Sequence, residues 1–164
     1  MPEDKVKYVK PPNNLRQKQR LAGVSGVLDA AWIHAAERQI EAARLDYEKA
    51  VVQDMANLHS ICEEILKNPA DFSSKIQALY GILQIVKGQG SSFGYPLVSA
   101  IGGQLARFVE SLANDVSHIQ VEIVKIHVEA IRFIVKRKLE GEGGQLGKEL
   151  VASLGLLITK ADRA

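Results

Sequence analysis

Apolar residues recur three and four positions apart over most of this chain, and that spacing is typical of α-helices with one buried side. The longest series begins near Asp29, a suitable N-cap residue, and ends at Asn68 and Pro69, where a helix must stop. Its members are Ile33, Ala36, Ile40, Ala43, Tyr47, Val51, Met55, Leu58, Cys62 and Ile65. An unbroken helix of this length spans about 55 Å, which is more than a small bundle needs.

A second and a third helix are predicted on either side of a glycine-rich turn. The second begins at a cap residue, Asp71, and continues to about Gly90. Its buried stripe is formed by Ile76, Leu79, Leu83 and Val86. The third begins at Pro96, because proline suits the first turn of a helix.

The fourth helix is predicted to follow a cap at Asp115 or Ser117. One side of it carries the charged residues Glu122, Lys125, Glu129, Arg132 and Lys136. A loop rich in glycine, at residues 140–144, separates it from a last helix. The residues expected to face inward on the last helix are Leu146, Leu150, Leu154, Leu157 and Ile158.

The expected fold is all-α, because five helices joined by short loops favour an up-down antiparallel four-helix bundle. The first four helices would form the bundle, with a long N-terminal helix, and the extra C-terminal helix would pack outside it. Residues 28–164 make up this domain. Residues 1–27 are predicted to be a basic tail containing Pro11, Pro12 and the glycines near Gly23.

Composition narrows the classes of function. The formal net charge of +2 gives no strong field for nucleic acid or membrane binding. The chain has one cysteine, Cys62, which excludes an internal disulfide and favours a reducing, cytoplasmic setting. No signal peptide and no metal-ligand spacing are apparent, so neither a metal nor a cofactor is expected.

The second helix has an unusual side that carries polar residues and glycines. Gln77, Gly81, Gln84 and Gly88 fall on this side, away from the apolar stripe. A glycine inside a helix costs about 1 kcal/mol relative to alanine. Two glycines on one side therefore suggest that a partner approaches the backbone there.

The segment from Gln84 to Gly94 resembles the signature of histidine-phosphotransfer (HPt) domains of bacterial two-component phosphorelays. That signature has an acceptor His, a Lys three residues later, a Gly four residues later, small residues, and a Gly ten residues later. The matching residues here are Lys87, Gly88, Gly90, Ser91, Ser92 and Gly94, while Gln84 stands at the acceptor position. A second segment, Pro11–Lys18, is also similar to small bacterial members of that family.

The resemblance implies a degenerate, non-enzymatic HPt protein that binds a response-regulator receiver domain or a histidine kinase without accepting phosphate. The residues predicted to contact the receiver are Gln77, Gly81, Gln84, Ile85, Lys87, Gly88 and Ser91. Two placements of Ile85 stay open. It is either exposed in a docking patch or covered by the first or last helix.

Alternative functions also stay open. An active phosphotransfer protein would require that Gln84 is an engineered replacement of His, or that His34, His59, His118 or His127 accepts the phosphoryl group. A helical scaffold that forms a homodimer through the N-terminal half of the long helix is a further alternative. The glycine-rich segment can also be no more than the C-terminal end of a helix.

Overall fold

In a computed structural model of the chain, residues 30–112 and 116–161 are described, together with positions 18, 21 and 23. The chain divides into two compact units, residues 1–41 and 42–164. The described residues contain no strand and form five α-helices, which confirms the all-α prediction. They are α1 (Ala30–Lys67), α2 (Phe72–Gln89), α3 (Pro96–Ser111), α4 (His118–Lys136) and α5 (Gly144–Ala161). The predicted boundary between residues 27 and 28 and the predicted cap at Asp29 lie outside the described residues.

The first unit contributes the beginning of α1 to the described part of the chain. Large apolar side chains in it, Trp32, Ile33 and Ile40, are exposed. Residues 33–40 are therefore helical, as their spacing predicts, but their large apolar side chains are not buried. Apolar spacing alone does not indicate whether another element covers that face of the helix.

The second unit contains a continuous apolar core. The long helix contributes to it from Tyr47 onward, through Tyr47, Val51, Met55, Leu58, Cys62 and Ile65. Leu79, Leu83 and Val86 of α2 are buried as their spacing predicts, and Ile76 is half-buried at the edge of this stripe. Cys62 is a core residue, and burial raises the pKa of its thiol to about 12.

Ion pairs and close contacts define how helices in the second unit are oriented. Lys125 of α4 pairs with Glu63 of α1 at 2.7 Å, and Lys138, just beyond α4, pairs with Glu48 at 3.3 Å. These two pairs show that α1 and α4 run in opposite directions. Helix α2 packs along α3, and α5 contacts both α3 and α4.

Local sequence signals explain where α2 and α3 meet. Helix α2 ends at Gln89 and is followed by the 3-10 turn Gly90–Phe93. Gly94 then adopts a left-handed conformation, with a φ of 88°, which favours glycine. Pro96 is the first residue of α3, as predicted.

The caps of α2 and α4 differ from each other. Ser117 forms a capping box with Gln120 at the start of α4, which confirms one of the two predicted caps. Asp71 stands at the N-cap of α2, but its side chain does not cap the helix. Its carboxylate accepts a hydrogen bond from Asn68 Nδ2 at 3.0 Å instead.

One residue predicted to face inward on α5 does not do so. Leu146 is 78% exposed, whereas Gly147, beside it, is buried. A Cβ atom on Gly147 would collide with the backbone carbonyl of Glu142 and would also lie 3.0 Å from the Leu97 side chain of α3. A glycine therefore makes the close contact at the start of α5, and the neighbouring Leu146 is exposed.

Candidate functional site

The residues predicted to bind a receiver lie along one side of α2 and its 3-10 exit, and we call this side the outer face. It comprises Gln77, Gly81, Gln84, Ile85, Lys87, Gly88 and Ser91. All of them are exposed except Gln84, which is half-buried. At 3.6 residues per turn, Gln84 points away from the core residues Leu79 and Val86. The structure thus brings the predicted set together on one accessible surface.

Two glycines leave positions on the outer face where no side chain projects. Apart from the adjacent backbone of α2, no heavy atom of the described residues lies within 4 Å of where a Cβ atom would stand on Gly81 or on Gly88. Both residues are helical, so neither requires the conformational freedom of glycine. No packing contact within the described residues therefore explains why these positions lack a side chain.

Ile85 provides an apolar group at the edge of the outer face. It is 53% exposed, which corresponds to the exposed one of the two predicted placements. Burying an isoleucine side chain contributes roughly 1.5–3 kcal/mol to an association. Ile85 is therefore the residue of the outer face with most apolar surface to offer a partner.

Lys87 lies on the opposite edge, where α2 comes close to α3. A Cβ atom on Gly102 would stand 3.4 Å from the Lys87 backbone nitrogen, and one on Gly103 would stand 3.8 Å from Lys87 Cγ and Cδ. The stem of Lys87 thus lies over two glycines of α3. This arrangement supports the stem while the side chain as a whole remains exposed.

The turn after α2 is closed, in contrast to the outer face. A Cβ atom on Gly90 would lie 2.9 Å from both the Ser99 nitrogen and the Tyr95 oxygen, so no side chain fits there. Ser91 N donates a hydrogen bond to Ser99 Oγ at 2.8 Å. Gly94 O accepts one from Gly141 N, also at 2.8 Å, which joins this turn to the loop before α5.

A buried polar cluster anchors the same turn to α1. The Tyr95 hydroxyl donates a hydrogen bond to Glu48 Oε1 at 2.7 Å, and the ring of Tyr47 stacks on that of Phe93 with centroids 4.6 Å apart. Burial opposes ionisation of Glu48, but hydrogen bonds from Tyr95 and Lys138 outweigh it and lower the pKa of Glu48. Burial, together with the hydrogen bond to Glu48, raises the pKa of Tyr95.

Sequence reasoning gave no role to Glu48 or Tyr95. The available signal was Glu48 itself, a carboxylate directly beside Tyr47 in the apolar series of α1. A buried carboxylate requires a partner. The partner is 47 positions away in the chain, however, and helical spacing does not reveal such a contact.

The four histidines differ in their access to a phosphoryl donor. His127 is fully buried and its Nδ1 lies 2.7 Å from the carbonyl oxygen of Ile123, as expected for a core histidine. Burial lowers the pKa of His127. His34 and His118 are exposed, and His59 is half-buried. Burial therefore makes His127 the least suited of the four to accept a phosphoryl group.

The described residues provide neither a metal site nor a membrane span. Among them, no three His, Cys, Asp or Glu side chains converge as metal ligands would. Nor does any helix in that part of the chain combine the length and the apolar character needed to cross a bilayer. Comparisons with protein-family models, with curated proteins and with solved structures found no match to this chain.

Proposed function

We propose that this chain is a pseudo-histidine-phosphotransfer protein of cytoplasmic two-component signalling. It binds a receiver domain, or a histidine kinase, through the outer face of α2 and does not accept phosphate. One observation carries the proposal: Gly81 and Gly88 flank Gln84 on an exposed helix face, and no other residue in the described part of the chain occupies the space above either glycine. Lys87 and Gly88 also keep the spacing that HPt domains have after their acceptor histidine.

The chemistry of Gln84 explains why docking is proposed without transfer. A histidine accepts a phosphoryl group because a ring nitrogen carries a nucleophilic lone pair. The amide of glutamine has no comparable nitrogen, although it donates and accepts hydrogen bonds. Gln84 therefore preserves a polar contact at the centre of the outer face, and Lys87 offers a cation beside it.

The proposed architecture is an up-down four-helix bundle of the HPt type. Residues 42–67 of α1 together with α2, α3 and α4 would be its four members. The opposite directions of α1 and α4 and the packing of α2 along α3 support this arrangement. Helix α5 would lie outside, against α3 and α4, away from the outer face.

A binding assay with phosphorylated and unphosphorylated receiver domains tests the proposal. We expect wild-type protein to bind a receiver and to remain unlabelled by its phosphoryl group. Lys87→Glu should weaken binding, whereas Lys148→Glu, the same change at an exposed position on α5, should not. Acid-labile labelling of the protein, or equal binding by both variants, would exclude this function.

An active phosphotransfer protein is the alternative that the outer face itself favours, because only the nucleophile is missing. Gln84→His supplies that group at a half-buried position of the outer face, between Gly81 and Gly88. Phosphoryl transfer to this variant would show that the site retains its geometry. Labelling of the wild-type chain would instead point to an exposed histidine such as His34 or His118.

The exposed apolar residues at the beginning of α1 favour another alternative, a scaffold that forms a homodimer. Trp32, Ile33 and Ile40 are the residues concerned. Trp32→Ser combined with Ile40→Ser should convert a dimer of this kind to a monomer in sedimentation experiments. An unchanged mass would exclude this surface.

A further inference from the structure

A groove between α2 and α3 opens at one end of the outer face. Its volume is about 240 Å³, and it is lined by Ile76, Gln77, Tyr80, Val109 and Glu110. Because Gln77 belongs to the outer face as well, the groove and that face are continuous. A cavity of about 150 Å³ is enough to hold a benzene ring, so the groove has room for the head group of a side chain from a partner.

The groove combines an apolar interior with a single carboxylate. Val109 is buried, Ile76 and Tyr80 are half-buried, and Glu110 at the rim is exposed. Glu110 forms no ion pair with any residue in the described part of the chain. A tyrosine ring beside a carboxylate without a counter-ion favours a cation, and apolar walls favour a cation on a long apolar stem.

The basic residues closest to Glu110 along the two helices contact other groups. Lys75 of α2 forms an ion pair with Glu64 of α1. Arg107, one turn before Glu110 on α3, has its Nη1 atom 3.9 Å from where a Cβ atom would stand on Gly103. The Lys87 stem lies 3.8 Å from that same point. Arg107 therefore lies toward Lys87 and leaves the charge of Glu110 unbalanced.

We propose that an arginine side chain of the receiver domain enters this groove when the receiver binds the outer face. Its guanidinium pairs with Glu110 and stacks on the ring of Tyr80, while its methylene stem packs against Ile76 and Val109. Arginine suits the groove better than lysine, because its planar group both pairs with a carboxylate and stacks on an aromatic ring. This inference rests on the proposed function and names one chemical feature that the partner must carry.

The charges at the two ends of the surface also give the partner one orientation. Lys87 and Arg107 place two positive charges near one end of the outer face, whereas Glu110 places a negative charge at the other. An arginine of the partner is attracted to the groove and repelled from the opposite end. Complementary charges of this kind suppress the reversed orientation more than they add to affinity.

A titration with acetyl-arginine amide, followed by the amide resonances of the protein, tests the groove without a receiver. The resonances of Tyr80 and Glu110 should shift, and those shifts should be absent in Glu110→Gln. Acetyl-citrulline amide has nearly the same shape without the charge, so it is the matched control and should leave these resonances in place. Equal shifts with the two compounds, or none with the arginine compound, would overturn the proposal.

Charge reversal tests whether a receiver uses the groove. Glu110→Lys should weaken receiver binding at least tenfold, because the inserted arginine then meets a like charge. Glu149→Lys makes the same change at an exposed position of α5 and should leave binding unchanged. Receiver binding that Glu110→Lys does not weaken would overturn this inference alone. A wild-type chain that binds no receiver would overturn the proposed function and the inference with it.

Discussion

The outer face of α2 and the turn that follows it differ in how they use glycine. Gly88 and Gly90 are two positions apart in the sequence. Gly88 has open space where a side chain would stand, whereas Gly90 lies so close to Ser99 and Tyr95 that no side chain fits. Contacts among residues 30–112 and 116–161 require a glycine at position 90 but not at position 88.

This difference separates the glycines that the turn requires from the glycines that suggest docking. The sequence pattern alone does not distinguish the two groups. Gly90 and Gly94 are explained by the close turn and the left-handed backbone. They would be needed in any protein with this turn. Gly81 and Gly88 each cost about 1 kcal/mol of helix stability, and no packing contact among the described residues offsets that cost. Only these two glycines support a docking function.

The largest effect is expected at the closed turn. Gly90→Ala should lower the free energy of unfolding by about 3 kcal/mol, because the new methyl group meets backbone atoms that cannot move easily. Urea denaturation measures this change. A loss smaller than that of an ordinary surface substitution would break the contrast between the two glycines.

The next effect concerns the anchor of the same turn. Tyr95→Phe removes the hydrogen bond to Glu48 and should cost about 2 kcal/mol of stability, because a buried carboxylate loses a donor. Tyr80 is half-buried on α2, and Tyr80→Phe serves as a control for the loss of a phenol hydroxyl. Equal losses in the two variants would show that the Tyr95 contact is not special.

A change on the outer face should affect binding and leave folding intact. Ile85→Ser should weaken receiver binding about tenfold, equivalent to about 1.4 kcal/mol, since an exposed apolar group is lost from the contact. The free energy of unfolding should stay within the error of the measurement. Isothermal titration calorimetry and denaturation together would reveal any loss of stability that mimics a loss of binding.

Replacing either open glycine, Gly81 or Gly88, with alanine should increase stability but decrease the affinity for the receiver. Gly81→Ala and Gly88→Ala should each raise the free energy of unfolding by about 1 kcal/mol. Each should also weaken receiver binding, because the methyl group stands where the partner approaches. Stabilisation without any loss of binding would remove the main support for docking at this face.

Acid should produce the smallest change, and of the two regions compared it should act on the closed turn, through Glu48. The folded-state pKa of Glu48 lies below its ordinary value of 4.5. The stability that ionised Glu48 contributes is therefore complete above pH 4.5 and is lost as the pH falls through its folded-state pKa. Denaturation below pH 4.5 should show a shallower pH dependence for Glu48→Gln than for wild type, and identical slopes would contradict this assignment.

Sequence-based prediction succeeded where local chemistry decides the outcome. The end of α2 near Gly90, the start of α3 at Pro96 and the cap at Ser117 each depend on residues close in sequence. Prediction failed at Leu146, because apolar spacing favours a large residue where the structure packs Gly147 against the Glu142 carbonyl and Leu97. Contacts between distant residues were also missed.

The candidate site likewise has some features that local sequence predicts and others that it does not. Six of its seven residues lie on α2 and Ser91 lies in the 3-10 turn directly after it, so their common placement followed largely from helical spacing. Helical spacing did not predict the contact between Tyr95 and Glu48, 47 positions apart, which anchors the turn beside this site.

The hydrogen bond from Gly141 N to Gly94 O also has a practical consequence for spectroscopy. Its donor belongs to the loop before α5, while its acceptor reports on the exit of α2. The amide resonance of Gly141 should therefore sense distortion of that exit from a position remote in sequence. Its exchange rate with deuterated solvent offers a probe of α2 that requires no label on the outer face itself.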